Sequence, residues 1–269
     1  MPVRQLLRSL LSRPDPAPPE APPEGAPERF AITTIAPGRA VYAIGDIHGR
    51  ADLIEPLLLR IEADIRAQGQ EHAQLVFLGD YVDRGEQSAQ VLDYLHALSC
   101  DLAGMVTCLL GNHERMMLDF LDDPAGRGAR WLANGGLQTL ASYGIGGLGA
   151  RASVDDMAEA SDALAAALPR GREAWLRARP LHWQSGNVVC VHAAMNPARR
   201  PDDQDERALL WGHRDFMSTP RADGLWVVHG HTSVREPELS AGRIAIDTGA
   251  WHSGRLSAAA LTPGMCRFL

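Results

Sequence analysis

Five short apolar, β-branched runs of this chain each end in a cluster of aspartate, histidine, asparagine and glycine, and the five clusters follow one another in order. The first run leads into Gly45-Asp46-Ile47-His48-Gly49, the second into Gly79-Asp80-Tyr81-Val82-Asp83-Arg84-Gly85 and the third into Gly111-Asn112-His113-Glu114. The last two end in Val191-His192-Ala193-Ala194 and His229-Gly230-His231-Thr232. Taken singly, Asp or Asn beside Gly is ordinary turn chemistry. As a series, the clusters require a fold that gathers strand ends at one place, and in open α/β sheets that edge is where ligands bind.

The intervening sequence agrees. Strands are expected at 40–45, 75–79, 105–110, 188–191, 226–228, 244–246 and 256–261,. Between the first two, Leu53, Ile54, Leu57, Leu58, Ile61 and Ile65 recur at helical spacing, and Val91, Leu92, Leu95 and Leu98 do so after the second,. These stripes read as core. Strand and helix alternating in this way indicate an α/β domain, expected to cover residues 30–269,. Residues 121–180 are rich in Ala, Arg and Gly and show helical patches without a clear strand. They read as a helical insertion near the active site, and the run Trp131-Leu132-Ala133-Asn134-Gly135-Gly136 within it either shapes the substrate mouth or simply packs.

Ahead of the domain, residues 1–13 carry Leu6, Leu7, Leu10 and Leu11 on one helical face with Arg4, Arg8 and Arg13 as positive charge. A helix this short is marginal on its own, so a frayed basic tail is expected, with weak membrane-surface or partner contact as the functional alternative. Residues 14–29 read as an extended linker, with seven prolines between 14 and 28,.

Composition then removes several classes of function. All 26 basic residues are arginine, so Schiff-base chemistry and a lysine-bearing P-loop are both excluded,. A net charge of −7 argues against nucleic acid as the main partner,. No stretch is apolar and long enough for a transmembrane segment. Cys100, Cys108, Cys190 and Cys266 lie far apart with no C-x-x-C pair, which reads as free thiols in a reducing, cytoplasmic setting,.

Asp, His and Asn together offer mixed oxygen and nitrogen ligands without thiolate, a set that suits Mn²⁺, Fe or Zn²⁺ rather than an iron–sulfur cluster. Asp46 and His48 can turn toward one ion where the chain leaves its strand. Asp80 is the natural bridge, because one carboxylate can hold two cations while offsetting their repulsion. Asn112, His192 and His231 then complete the second ion.

The order GDxHG, GDxVDRG, GNHE and two later histidines resembles the phosphoprotein phosphatase family of calcineurin-like dinuclear metallophosphoesterases over residues 40–261. Within it, the chain is most similar to the bacterial serine/threonine protein phosphatases and to the symmetrical diadenosine tetraphosphatases. The resemblance implies a four-layer α/β/β/α sandwich and two divalent metal ions, with Mn²⁺ preferred. It assigns Asp46, His48 and Asp80 to one metal and Asp80, Asn112, His192 and His231 to the other. It also implies His113 as the general acid, Asp83 as the carboxylate that orients its ring, and Arg84 as a phosphate clamp.

Two positions depart from the family pattern. Ala194 stands where a glycine is usual. The second phosphate arginine is normally two residues beyond a Leu-Trp pair, but here the run is Leu210-Trp211-Gly212-His213-Arg214. Strict register gives His213; a one-residue slip gives Arg214, which an always-charged bidentate donor favours. His229 is left out of the metal set, Asp247 is read as a partner of a metal-binding histidine in a loop beside the site, and His182 and His252 default to structural or surface roles.

The expected function is a serine/threonine protein phosphatase that hydrolyses phosphomonoesters of phosphoproteins or phosphopeptides by direct attack of a metal-activated water. Asp83 beside Arg84 and GNHE rather than GNHD favour it. The alternative is a symmetrical bis(5'-nucleosyl)-tetraphosphatase that cleaves dinucleoside polyphosphates or removes RNA caps, with six tryptophans available to stack a base,. A catalytically dead binding module is disfavoured by the intact ligand set.

Overall fold

The computed structural model describes residues 2–11, 33–70, 72–149 and 152–269; the expected proline-rich linker lies outside them. In chain order the elements are α1 (Pro2–Leu11), β1 (Val41–Ile44), α2 (Ile54–Gln68), β2 (Gln74–Phe77), α3 (Ser88–Asp101), β3 (Val106–Cys108) and α4 (Asn112–Asp122). Next come α5 (Pro124–Trp131), α6 (Leu137–Ser142), α7 (Val154–Ala167) and α8 (Arg172–Arg177). The second half holds β4 (His182–Ser185), β5 (Val188–Val191), α9 (Glu206–Trp211), β6 (Trp226–His229), β7 (Glu238–Ser240), β8 (Arg243–Ala245), α10 (Ala250–Ser253), β9 (Ala258–Thr262) and β10 (Met265–Phe268).

The strands form two five-stranded sheets, ordered β10-β9-β1-β2-β3 and β4-β5-β6-β8-β7. β1, β2 and β3 run parallel, as do β5, β6 and β8, so each sheet presents three C-terminal strand ends at one edge. The period-two alternation of a strand decides what faces what. Val41, Ala43 and Val76 pack against Val188, Cys190 and Val228 of the other sheet. Tyr42, Ile44, Leu75 and Phe77 point the opposite way, into the helices. The expected stripes of α2 and α3 join that helical core. On the far side Val189, Val191 and Val227 meet Leu209 and Phe216. The result is the expected four-layer sandwich, with the central strands β1, β2, β5 and β6 buried on both faces as parallel strands between layers require,.

Three strands were not expected: β4, β7 and β10, each at the edge of its sheet. Their residues are half-exposed or exposed, so they carry no apolar run for periodicity to register,. After α4 come the helices α5 to α8, and Trp131, Leu140, Met157, Leu164 and Leu176 enter the same core as α2 and α3.

The expected frayed tail requires correction. Leu7 and Leu11 of α1 are fully buried in the helical core, and α1 packs on α2 and α3. Arg4 pairs with Asp101 at 3.7 Å and lies 4.6 Å above the Tyr94 ring. Its described leucines are spent on the domain itself rather than on a membrane or partner. Among the described residues no helix is long and apolar enough to cross a membrane.

Candidate dinuclear metal centre

The loops after β1, β2, β3, β5 and β6 converge. They do so through a backbone that L-residues rarely adopt: His48, Asp80, Asp83, Arg84 and His231 all have positive φ, between 46° and 73°. Each such residue costs on the order of 1–3 kcal/mol, a cost that persists only where the surroundings hold it. Two devices hold it here. Gly49 and Gly85 bring the first two loops into backbone contact, where a Cβ on Gly85 would stand 2.2 Å from the His48 carbonyl oxygen. Glu114, wholly buried, accepts the amide hydrogens of Asp80 (2.8 Å), Tyr81 (2.7 Å), Val82 (3.1 Å) and Gly111 (2.9 Å). Burial, reinforced by Asp80, pushes its carboxyl up to about 8 against the pull of those amides. In the sequence Glu114 is only the last residue of its motif; its clamp on the Asp80 loop joins residues more than thirty positions apart.

Asp80 occupies the middle. Its Oδ2 lies 3.3 Å from His48 Nε2 and 3.9 Å from His113 Nε2, while its Oδ1 lies 3.3 Å from His192 Nε2. Donor atoms therefore gather in two triples that share this carboxylate: His48, Asp80 and His113, and Asp80, His192 and His231. Asn112 Oδ1 joins the second triple, 2.8 Å from His192 Nε2 and 2.9 Å from His231 Nδ1. Asp46 lies outside both triples. Its Oδ2 accepts the His231 amide at 3.0 Å, and its Oδ1 is buried without a partner.

Protonation shows that this donor set fits cations. The Leu78 carbonyl, an acceptor only, lies 3.0 Å from His192 Nδ1, so that nitrogen carries the proton,. Burial holds the His192 imidazole down at about 4, leaving it neutral with its Nε2 lone pair aimed at Asp80 Oδ1. Acceptor then faces acceptor, an arrangement that a cation between them relieves. Val82 O fixes His48 Nδ1 in the same way at 2.8 Å. Burial, then the charges of Asp247 and Asp80, raise the Asp46 carboxyl well above the ordinary range, which again marks a place short of positive charge,.

Beside the triples, His113 Nδ1 donates to Asp83 Oδ2 at 2.7 Å, and His113 is almost wholly buried. Arg84 spans the centre with its fork, Nη1 3.0 Å from His48 Nε2 and Nη2 3.2 Å from His113 Nε2. Its guanidinium also lies 5.7 Å from the Trp251 ring, a neighbour no motif announced.

Arg214 is not brought to the centre: its side chain is 90% exposed and pairs with Asp215 at 3.5 Å. His213, the other candidate, turns to the same Asp215 at 3.9 Å. The carboxylate of Asp247 accepts from Gly249 N–H and Ser233 Oγ and acts by charge on both Asp46 and the His231 ring. His229 packs edge-on to Phe216 at 5.0 Å, on the outer face of its sheet. His182 pairs with Asp202 on the surface at 3.4 Å, and His252 is exposed.

A groove of about 570 Å³ is lined by Arg115 from α4, Arg127 and Arg130 from α5, and Arg207 and Trp211 from α9. Arg130 stacks over the Trp211 ring at 4.0 Å. Arg115 and Arg127 are paired with Glu206 and Asp119, each at 2.9 Å.

Comparison with known proteins agrees with this geometry. The calcineurin-like phosphoesterase family model matches residues 40–250. The asymmetrical bis(5'-nucleosyl)-tetraphosphatase PrpE of Oceanobacillus iheyensis is 26% identical over 239 residues, covering 80% of this chain and 86% of that protein. The symmetrical bis(5'-nucleosyl)-tetraphosphatase of Methylococcus capsulatus is 28% identical over 172 residues, covering 63% of this chain and 48% of that protein. Among solved structures, a protein serine/threonine phosphatase of Saccharomyces cerevisiae superposes with a TM-score of 0.52 at 15% identity, covering 97% of this chain and 80% of that one, a likeness of fold. With the match spanning every strand-end cluster of the centre, the chain belongs to the calcineurin-like phosphoesterase family and is a metal-dependent phosphoesterase, a hydrolase of phosphoric ester bonds.

Proposed function

We propose that this protein hydrolyses phosphoserine and phosphothreonine monoesters in proteins or peptides. Asp46, His48 and Asp80 would hold one divalent ion, and Asp80, Asn112, His192 and His231 a second, with Mn²⁺ the best match to oxygen and nitrogen donors without thiolate. When bound, such ions supply Lewis acidity toward the phosphoryl oxygens and a water of lowered pKa as nucleophile. Arg84, with its planar fork, binds and orients the phosphoryl group. His113 gives its Nε2 proton to the leaving oxygen, and Asp83 accepts from the other ring nitrogen and so fixes the ring's orientation,. No covalent phosphoenzyme is needed.

The observation that carries the choice of substrate is the His113–Asp83 pair at 2.7 Å. A serine or threonine alkoxide is a strong base and leaves only with a proton, whereas the phosphate leaving group of an anhydride is a much weaker base and needs little help. Two observations favour a second reading, hydrolysis of dinucleoside polyphosphates: the names of the relatives, and the arginine-lined groove with Trp211, whose ring offers a stacking face for a base,. The four free thiols suit a reducing compartment, and a cytoplasmic location is proposed,.

The readings separate in a parallel assay of Mn²⁺-loaded protein on a phosphoserine peptide, diadenosine tetraphosphate and p-nitrophenyl phosphate. A kcat/KM on the peptide about ten-fold or more above that on the dinucleotide supports the first reading, and the reverse ratio replaces it with the second.

A further inference from the structure

The helical segment after α4 closes down on the Asp83–Arg84 turn with three groups. Trp131, wholly buried, donates its indole N–H to Asp83 at 2.9 Å from Oδ2 and 3.1 Å from Oδ1. Thr139, also wholly buried, donates its hydroxyl to Asp83 Oδ1 at 2.6 Å and accepts the Asp83 amide at 2.9 Å. Between them the helix is kinked at Asn134 and Gly135, and the Gly135 carbonyl accepts the Arg84 amide at 3.4 Å. Gly135 has φ 108°, and a Cβ there would stand 2.6 Å from Arg84 N and 3.1 Å from Asp83 Cβ, so only glycine lets the segment seat,.

Asp83 has no exposed surface, and its carboxylate accepts from three directions: His113 Nδ1, Trp131 Nε1 and Thr139 Oγ1. A carboxylate pinned at both oxygens cannot turn about its own axis. With only His113 as partner it would be free to swing, and the imidazole with it. We propose that Trp131 and Thr139 are positioning residues of the phosphoesterase reaction, holding Asp83 in the one orientation that fixes the His113 ring with Nε2 toward the leaving oxygen. The kink at Gly135 sets the adjoining Arg84 turn, so one helical segment aligns both the acid and the phosphate clamp. This inference rests on the reading of His113 as the acid.

Trp131→Phe keeps an aromatic side chain, though a smaller one, and loses the indole N–H; Thr139→Val keeps the shape and loses the hydroxyl. Each is compared with His113→Gln for turnover on a phosphoserine peptide and on p-nitrophenyl phosphate, whose phenolate leaves unaided, together with metal content and Tm. The expected result is a roughly ten-fold fall in kcat on the peptide, under about two-fold on the nitrophenyl ester, with KM and metal content kept. Thr139→Ser should restore the loss. Combined with His113→Gln, neither change should lower turnover further, because residues acting through one group are not additive. Equal losses on both substrates, loss of metal, or a full additional loss in the His113→Gln background overturns the inference. Should Trp131→Phe fail to fold, the Thr139 pair decides alone. If His113→Gln itself shows no preference between leaving groups, the reading of His113 has failed; if it does and the Thr139 and Trp131 variants do not, only the present inference has.

Discussion

On the sheet that carries β1, β2 and β3, the loops deliver Asp46, His48, Asp80, Asp83, Arg84, Asn112 and His113 from closely spaced positions, and four of these residues have a left-handed backbone. On the other sheet, β5 and β6 deliver His192 and His231 singly, one of them left-handed, and the two loops are tied by the Gly230 amide to the His192 carbonyl at 2.8 Å. The first arrangement packs several roles into a few residues, so its chain must bend sharply and be held bent, which Glu114 does through four amides. The second gives each histidine a strand end of its own, and strand pairing with one ring hydrogen bond to Leu78 is enough to aim His192. Density of function on the first side is obtained at the expense of backbone strain; the second side depends on the identity of two side chains.

The contrast can be broken at the residue both sides share. Asp80→Asn should abolish measurable turnover and lower the bound metal below two ions per chain, because this carboxylate is the one group common to both triples,. Two tightly held ions with normal turnover in that variant would end the dinuclear reading.

Removing the clamp on the first side should cost stability as well as activity. Glu114→Ala leaves four amides without their acceptor, each worth on the order of 1–3 kcal/mol when buried, and the Tm should fall on the order of 10 °C or more,. On the second side, His192→Ala should lower metal affinity by more than the roughly 10–100-fold that loss of an outer-shell partner costs, change Tm by only a few degrees in metal-free protein, and recover part of its turnover in excess Mn²⁺. Metal-free Tm values that fall equally in the two variants would erase the difference between the sheets.

Smaller effects sharpen the edges of the comparison. Deleting residues 1–28 exposes the core under Leu7 and Leu11, each worth about 2 kcal/mol of burial, so Tm should drop by several degrees while kcat stays the same,. An unchanged Tm would mean that α1 is not docked in solution. Arg214→Ala should change kcat/KM by less than about two-fold on any phosphoester, since its side chain is 90% exposed,; a loss near a hundred-fold would show that it folds over the substrate after all.

Most of the centre is legible in the sequence because its residues lie next to one another in the chain. His48 and Asp80, or Asn112 and His113, sit in motifs of a few residues at strand ends, and both strands and helices of the interior carry the apolar periods that reveal them. The residues that escaped are those whose partners are far away in sequence. Thr139 lies 56 residues from Asp83, and Trp131 lies 48 from it. Trp251 reaches Arg84 from α10, more than 160 residues along the chain. The edge strands β4, β7 and β10 escaped because a strand paired on one side and open to water on the other needs no apolar run.

The chain by itself determined the class of fold, through its apolar periods, and pointed to the reaction class through the resemblance that its ordered strand-end motifs carry; the same motifs named side chains that the loops gather. Only tertiary structure decided that α1 docks, that Arg214 stands apart, that Glu114 clamps the loop beside Asp80, and that the helical segment at 131–139 grips Asp83. Each of these is a contact between distant stretches, and its strength depends on burial that no local pattern reports: the same tryptophan N–H or glutamate carboxylate that would merely be hydrated in an open chain becomes decisive once water is excluded and its partner has no other.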